Sequence, residues 1–303
     1  MLFLHAPPPQ VKADGARRAP GEGLTRPFGL GYAHGVQSRP ALFYGLSTAA
    51  VLVLSGAVFG LEGIDPRSSP FLLSMPVAVL FLSHLGYTRR VEGRPLLRLV
   101  PYSAFLWFAA GTMEAVGIRS GLYLYEDTAL SAFRLGPVPV LIPTIWMLLC
   151  WLAESISEFL FAFDRGRKES RAARCLASAW IMLSFALAME WQLSRRIGLW
   201  SWADAHRGPR LDGVPLYNFL IWFAVGLAAP LLADLFRAPA IRYRTESRFV
   251  RSLPVIGFGW ALLGGAVMNF SCGFPTAGAV TLGSLVVLAA ILFRGARRRR
   301  LGP

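Results

Sequence analysis

Residues 215–236 read PLYNFLIWFAVGLAAPLLADLF, and Asp234, near the end, is the only charge among them. As a helix rising 1.5 Å per residue this stretch reaches about 33 Å, enough to cross a hydrocarbon layer of about 30 Å. Lipid offers no partner for backbone N–H and C=O groups, so a run of this kind satisfies itself as a helix. Working outward, comparable runs cover 41–61, 70–87, 97–118, 138–162, 175–193, 253–271 and 277–293. The last two are short and rich in glycine. The expected fold is all-α, a polytopic membrane helix bundle of about eight transmembrane helices.

Composition agrees. Apolar residues make up 54% of the chain and charged residues 16%, against roughly 45–50% and 25% in soluble domains; mean hydropathy is +0.48. The expected organisation is a disordered basic tail over 1–39, a transmembrane domain over 40–293 and a basic tail over 294–303, with no room for a separate soluble domain. Met1–Leu4 is too short for a signal-peptide core and Pro7–Pro9 ends it. Cys150, Cys175 and Cys272 form no CxxC pair, and the four histidines are dispersed, His84 alone lying near a run. Neither a metal site nor a disulfide framework is expected.

Charge orients the runs. Arg89, Arg90, Arg94 and Arg98 follow the second; Arg165, Arg167, Lys168, Arg171 and Arg174 follow the fourth. Arg237, Arg242, Arg244, Arg248 and Arg251 follow the sixth, and Arg294 with Arg297–Arg300 ends the eighth. Alternate basic loops predict an integral protein of the cell membrane with both termini cytoplasmic. The net charge of +14 then calls for anionic membrane lipids as neighbours and for no nucleic acid. One outer loop departs from the rule, carrying Arg195, Arg196, Arg207 and Arg210.

The two longer outer loops resemble each other. The first has Glu114, then Gly121-Leu122-Tyr123-Leu124-Tyr125-Glu126-Asp127, then Gly136-Pro137-Val138-Pro139. The second has Glu190, then Gly198-Leu199-Trp200-Ser201-Trp202-Ala203-Asp204, then Gly213-Val214-Pro215. Each gives a helix-end glutamate, Gly-Leu, aromatics at i and i+2, an acid, then Gly and Pro opening the next helix. This reads as a parallel internal repeat about an axis along the membrane normal, with an aromatic-rich composition as the competing account. Extended backbone would put each aromatic pair on one face.

Acids inside apolar runs cost about 2.5–3.5 kcal/mol on insertion scales, so each needs a reason. Asp234 reads as a solvated or arginine-paired helix end. Glu154 and Glu158, one turn apart, face one way and suit cation binding, proton relay or pairing with Arg165 equally. Glu114 and Glu190 recur beside glycine and paired aromatics, which points to chemistry. A carboxyl in an apolar pocket can keep its proton and act as a general acid, and aromatic faces stabilise positive charge where water is excluded. Such a set suits protonation of an alkene and retention of the carbocation. There is no GxGxxG opening a helix, no GKS or GKT and no DDxxD. Nucleotide and redox cofactors and prenyl transfer on a metal diphosphate are thus not indicated, and no cofactor is expected.

Glu114 to Gly117, Gly121, Tyr123, Tyr125, Leu135-Gly136-Pro137, Ile142-Pro143 and Trp146 resemble the integral-membrane carotenoid biosynthesis proteins, which include the bisanhydrobacterioruberin and carotenoid hydratases. The more specific half is Gly198-Leu199-Trp200-Ser201-Trp202 with Gly213-Val214-Pro215-Leu216-Tyr217-Asn218-Phe219 and Trp222. The likeness covers roughly 110–225. This chain departs from the family pattern in shortening the glycine–aromatic stretch before Tyr123, in carrying Glu190-Trp191-Gln192 where Asp-Pro is usual, and in Ile221-Trp222 where Gly-Trp is usual. The resemblance implies addition of water to a terminal double bond of an acyclic carotenoid, giving a tertiary alcohol.

On this reading Glu114 or Glu190 protonates the less substituted alkene carbon. Tyr123, Tyr125, Trp200 and Trp202 line the cation's pocket, and Trp146 and Trp222 join the substrate-binding aromatics. Asn218 positions water and the second carboxylate takes its proton. Two readings stand beside it: a carotenoid end-group cyclase or isomerase, which begins with the same protonation, and a non-catalytic protein that binds or transports a polyisoprenoid lipid. The oligomeric state is left open.

Overall fold

The computed structural model describes residues 96–126, 133–161, 168–203, 208–236 and 248–300. The runs 41–61 and 70–87, the 1–39 tail, His84 and Arg165 lie outside the described residues. Each of the other six runs is a helix: α1 (Leu96–Arg119), α2 (Leu141–Phe161), α3 (Lys168–Trp191), α4 (Leu216–Leu235), α5 (Arg248–Ser271) and α6 (Pro275–Arg300). Three stretches combine the length and apolar composition of a membrane crossing, Arg171–Arg196, Leu216–Leu235 and Pro275–Phe293, and two apolar helices are shorter, Leu141–Glu154 and Val255–Ser271. The described chain is therefore mostly helical, and its long apolar helices suggest a membrane protein.

Six short strands interrupt the helices, which an all-α reading did not foresee: β1 (Tyr123–Tyr125), β2 (Arg134–Leu135), β3 (Val138–Pro139), β4 (Trp200–Trp202), β5 (Arg210–Leu211) and β6 (Val214–Pro215). Helix, strand, two-strand hairpin and helix occur in this order from α1 to α2 and again from α3 to α4. The hairpins match in register: Arg134 faces Pro139 and Leu135 faces Val138, as Arg210 faces Pro215 and Leu211 faces Val214. Their tight turns need left-handed backbone, supplied by Gly136 (φ 61°) in one and by Asp212 (φ 45°) and Gly213 (φ 85°) in the other. Proline at the end of each hairpin donates no N–H and lets a helix start behind it.

Both helix exits turn on glycine. Gly121 (φ 68°) closes α1 with Leu122 N–H bonded to Gly117 O at 3.0 Å and Gly121 N–H to Ile118 O at 2.9 Å, the paired bonds of a Schellman cap. Gly198 (φ 65°) turns the chain after α3, one π-helical turn later, over Gln192–Arg196, with Leu199 N–H bonded to Leu193 O at 2.9 Å.

The core centres on α3, which packs on α2, α4, α5 and α6. Lipid tails are as apolar as leucine, so helices in a bilayer associate through close packing of small residues and polar contacts rather than through a hydrophobic gain. At the α3–α4 crossing a Cβ on Gly226 would lie 2.5 Å from Ala179 Cα; at α3–α5 one on Gly265 would lie 2.6 Å from Ala188 Cβ. A buried polar set ties the π turn to the last two helices. Gln192 Nε2 donates to Asn269 Oδ1 at 2.7 Å, Asn269 Nδ2 to Leu187 O at 3.2 Å, and Thr281 Oγ1 to the same carbonyl at 2.8 Å. Asp212 Oδ2 accepts from Ala277 N–H at 2.9 Å, capping the first turn of α6, where a negative charge meets the helix dipole.

Candidate functional site

β1 and β4 pair antiparallel, with Tyr123 opposite Trp202, Leu124 opposite Ser201 and Tyr125 opposite Trp200. Two further backbone bonds flank them, Glu126 N–H to Leu199 O and Ala203 N–H to Leu122 O, both at 3.1 Å. The two aromatic motifs thus join centre to centre. Because side chains alternate across a strand, Leu124 and Ser201 face outward while the four rings turn inward. Tyr123 meets Trp202 edge-on with centroids 5.2 Å apart, and Tyr125 meets Trp200 at 5.9 Å.

Behind these rings lie the two glutamates. Glu114, buried on α1, accepts three hydrogen bonds. Tyr123 Oη donates to Oε2 at 2.6 Å, Tyr125 Oη to the same oxygen at 2.7 Å, and Trp146 Nε1 to Oε1 at 2.7 Å. Burial, and next the neighbouring carboxylate, pushes both phenols well above the usual tyrosine range. They keep their protons and can only be the donors here. Gly117, one turn after Glu114, makes room for this: a Cβ there would lie 2.7 Å from Tyr123 Cε1 and Oη.

Glu190, equally buried at the end of α3, has a different shell. Trp200 Nε1 donates to Oε1 at 3.0 Å. Asn218, in the first turn of α4, and Trp202 both approach the same carboxylate, yet Asn218 Nδ2 and Trp202 Nε1 have no hydrogen-bond partner among the described residues. Tyr217 Oη is likewise buried and unpartnered, its ring 6.0 Å from that of Trp202. Ser194 Oγ donates to Glu190 O at 2.7 Å, anchoring that residue to the π turn.

The shells touch through β1–β4, and the indole of Trp146 lies against that of Trp222, with centroids 4.1 Å apart. Of the nine residues singled out from sequence, Glu114, Tyr123, Tyr125 and Trp146 form one hydrogen-bonded set. Glu190 and Trp200 form another, with Trp202 and Asn218 beside it. Trp222 joins them through its contact with Trp146. Among the described residues no three His, Cys, Asp or Glu side chains gather as metal ligands would.

The other acids lie elsewhere. Asp234 pairs with Arg174 and, at 3.5 Å, with Arg171, so its partners come from α3. Ser157 Oγ donates to the Glu154 carbonyl at 2.8 Å; the Glu158 side chain is outside the described residues. Two loop arginines have local work: Arg210 Nη2 donates to Ala203 O at 2.7 Å, and in the other half Arg134 Nη2 reaches Tyr125 O at 3.4 Å. Binding to loop carbonyls explains an arginine that a count of charges made an exception. Tyr217 and Gly117 were not singled out as site residues, although both stand inside the motifs. Only their position in space distinguishes them.

A family model described as Carotenoid biosynthesis protein matches residues 71–289. No curated protein and no solved structure is similar enough to this chain to count as a match.

Proposed function

This chain belongs to the carotenoid biosynthesis protein family, and on that premise we propose that it hydrates a terminal double bond of an acyclic carotenoid. The observation that carries the proposal is the pair of buried glutamates held by Tyr123, Tyr125, Trp146 and Trp200 in one aromatic shell. A carboxylic acid out of water can deliver a proton to a weakly basic alkene, and ring faces stabilise the tertiary cation that results. Water adds to that cation, and a carboxylate takes the proton that water loses.

The polyene itself would lie among the lipids, its terminal isoprenoid unit entering beside β1 and β4. In this proposal the site faces the outer side of a bundle of about eight helices with both termini cytoplasmic. The alternation of basic loops supports that orientation.

Expression in cells that accumulate lycopene tests the reading. A gain of one or two waters in the extracted pigment is expected. Unchanged mass with a shifted retention time would replace hydration by cyclisation or isomerisation. Unchanged pigment retained by the purified protein would support the binding or transport alternative.

A further inference from the structure

The two glutamates recur at matching places, yet their surroundings do not match. Three of the four lone-pair positions on Glu114 are filled by Tyr123, Tyr125 and Trp146. Putting a proton on Oε2 costs it one of those bonds, and a hydrogen bond lost in a buried place is worth about 1–3 kcal/mol; one position, on Oε1, stays open. Glu190 receives a single ordinary hydrogen bond, on Oε1; Oε2 accepts none among the described residues. Around it stand two donors, the Trp202 indole N–H and the Asn218 amide, that approach its carboxylate without closing a hydrogen bond among the described residues. Asn218 is only 8% exposed. A buried donor without a partner is costly and calls for an explanation, and a ligand oxygen is the ordinary one.

We propose that Trp202 Nε1, Asn218 Nδ2 and the open oxygen of Glu190 form a binding site for one small oxygen ligand, water going in or the product hydroxyl coming out, and that Glu190 alone exchanges protons with the substrate. This rests on the hydratase reading and assigns its two carboxylates different work. The Glu190 carboxyl gives its proton to the less substituted alkene carbon and becomes a carboxylate. The alkene π pair forms that C–H bond and leaves the neighbouring carbon cationic. Water that accepts from one of these N–H groups and donates to the Glu190 carboxylate attacks the cation with its remaining lone pair, and its surplus proton passes to Glu190, restoring the acid. No net proton, electron or cofactor is consumed. Hydrogen and hydroxyl enter from the same face, because donor and water share one side of the double bond. Glu114 moves no proton; its negative charge and its ring of donors steady the cation through the aromatic shell. Tyr217, its ring edge-on to that of Trp202 with centroids 6.0 Å apart, is a positioning residue for the indole.

The experiment uses the full chain in membranes supplied with lycopene in heavy water, with pigment mass and carbon-bound deuterium read separately. Wild-type chain should give product carrying one carbon-bound deuterium per water added. Glu190→Gln should lower both by about 10²-fold or more. Asn218→Leu keeps the acid and loses the water's anchor, so deuterium should still enter recovered or isomerised pigment while water gain falls about tenfold or more. Glu114→Gln should be slower with the two readouts falling together and above those of Glu190→Gln. Each variant is compared at equal amounts of protein, with its melting in detergent matched to wild type; Trp202→Phe, which keeps the ring and loses the N–H, should behave as Asn218→Leu. Deuterium entry that survives Glu190→Gln but not Glu114→Gln would overturn the assignment. So would an equal loss of both readouts in Asn218→Leu and Trp202→Phe. A wild-type chain that adds neither water nor deuterium would instead sink the hydratase reading, and this assignment with it.

Discussion

The indoles of Trp146 and Trp222 lie with centroids 4.1 Å apart and planes at 33°, one from the second helix of each half. Trp146 also donates to Glu114 at 2.7 Å, so one ring both stacks and bonds. Trp146→Phe keeps an aromatic stack and removes that donor. Hydrogen bonds to charged groups contribute about 1.5–3 kcal/mol to stability, so the melting temperature should fall, and turnover per folded molecule should fall about tenfold or more. Trp222→Phe leaves the Glu114 bond in place and should cost less. Equal rates in the two variants would remove the role given to the Trp146 N–H.

Tyr123 and Tyr125 share one oxygen of Glu114. Replacing either by Phe removes one donor and leaves the other. Their effects should not add, because the remaining phenol shifts to compensate and both act on the same atom. A double-mutant cycle on turnover checks this: the double variant should depart clearly from the product of the single losses. Independent effects would mean that the phenols serve separate purposes.

Gly117 is required by the Tyr123 ring, not by backbone conformation. A methyl group there would sit 2.7 Å from Tyr123 Oη, so Gly117→Ala should push the ring off Glu114 and reduce turnover about as far as Tyr123→Phe does. In a Tyr123→Ala background the same change meets no ring and should be nearly silent. A full loss in both backgrounds would place the defect in α1 itself.

Gly226 sets the distance between α3 and α4, far from the glutamates. The added methyl of Gly226→Ala would press on Ala179 Cα at 2.5 Å and on Ser178 O at 2.9 Å. Both belong to the α3 backbone, which cannot step aside as a flexible side chain would. Overpacking of this kind costs about 1–3 kcal/mol or more, read as a lower melting temperature in detergent. Activity per folded molecule should change less than stability does. An unchanged melting temperature would contradict the close crossing.

Much of the helical frame was legible because its signal is local. An apolar run such as 215–236 must satisfy its own backbone, and α4 (Leu216–Leu235) ends within a residue of that run at either side. The run 175–193 was shorter than its helix, Lys168–Trp191, because charged residues at a helix start carry no apolar signal. The strands were not read as strands. Two or three residues give no periodicity, and Tyr123-Leu124-Tyr125 becomes a strand only by pairing with Trp200-Ser201-Trp202 far along the chain.

For the site, the sequence by itself determined the membership: two glutamates and the aromatics that recur beside them, because each pair of motifs is a local pattern repeated. Only the tertiary structure decided how they differ. Whether a buried carboxylate closes hydrogen bonds with three donors, as Glu114 does, or with one among the described residues while two more stand near it, as Glu190 does, depends on which groups β1–β4 pairing and the α2 and α4 starts bring within about 3 Å. A hydrogen bond is made or missed over a few tenths of an ångström and by direction. That precision is set by packing between distant segments, and no spacing along the chain encodes it.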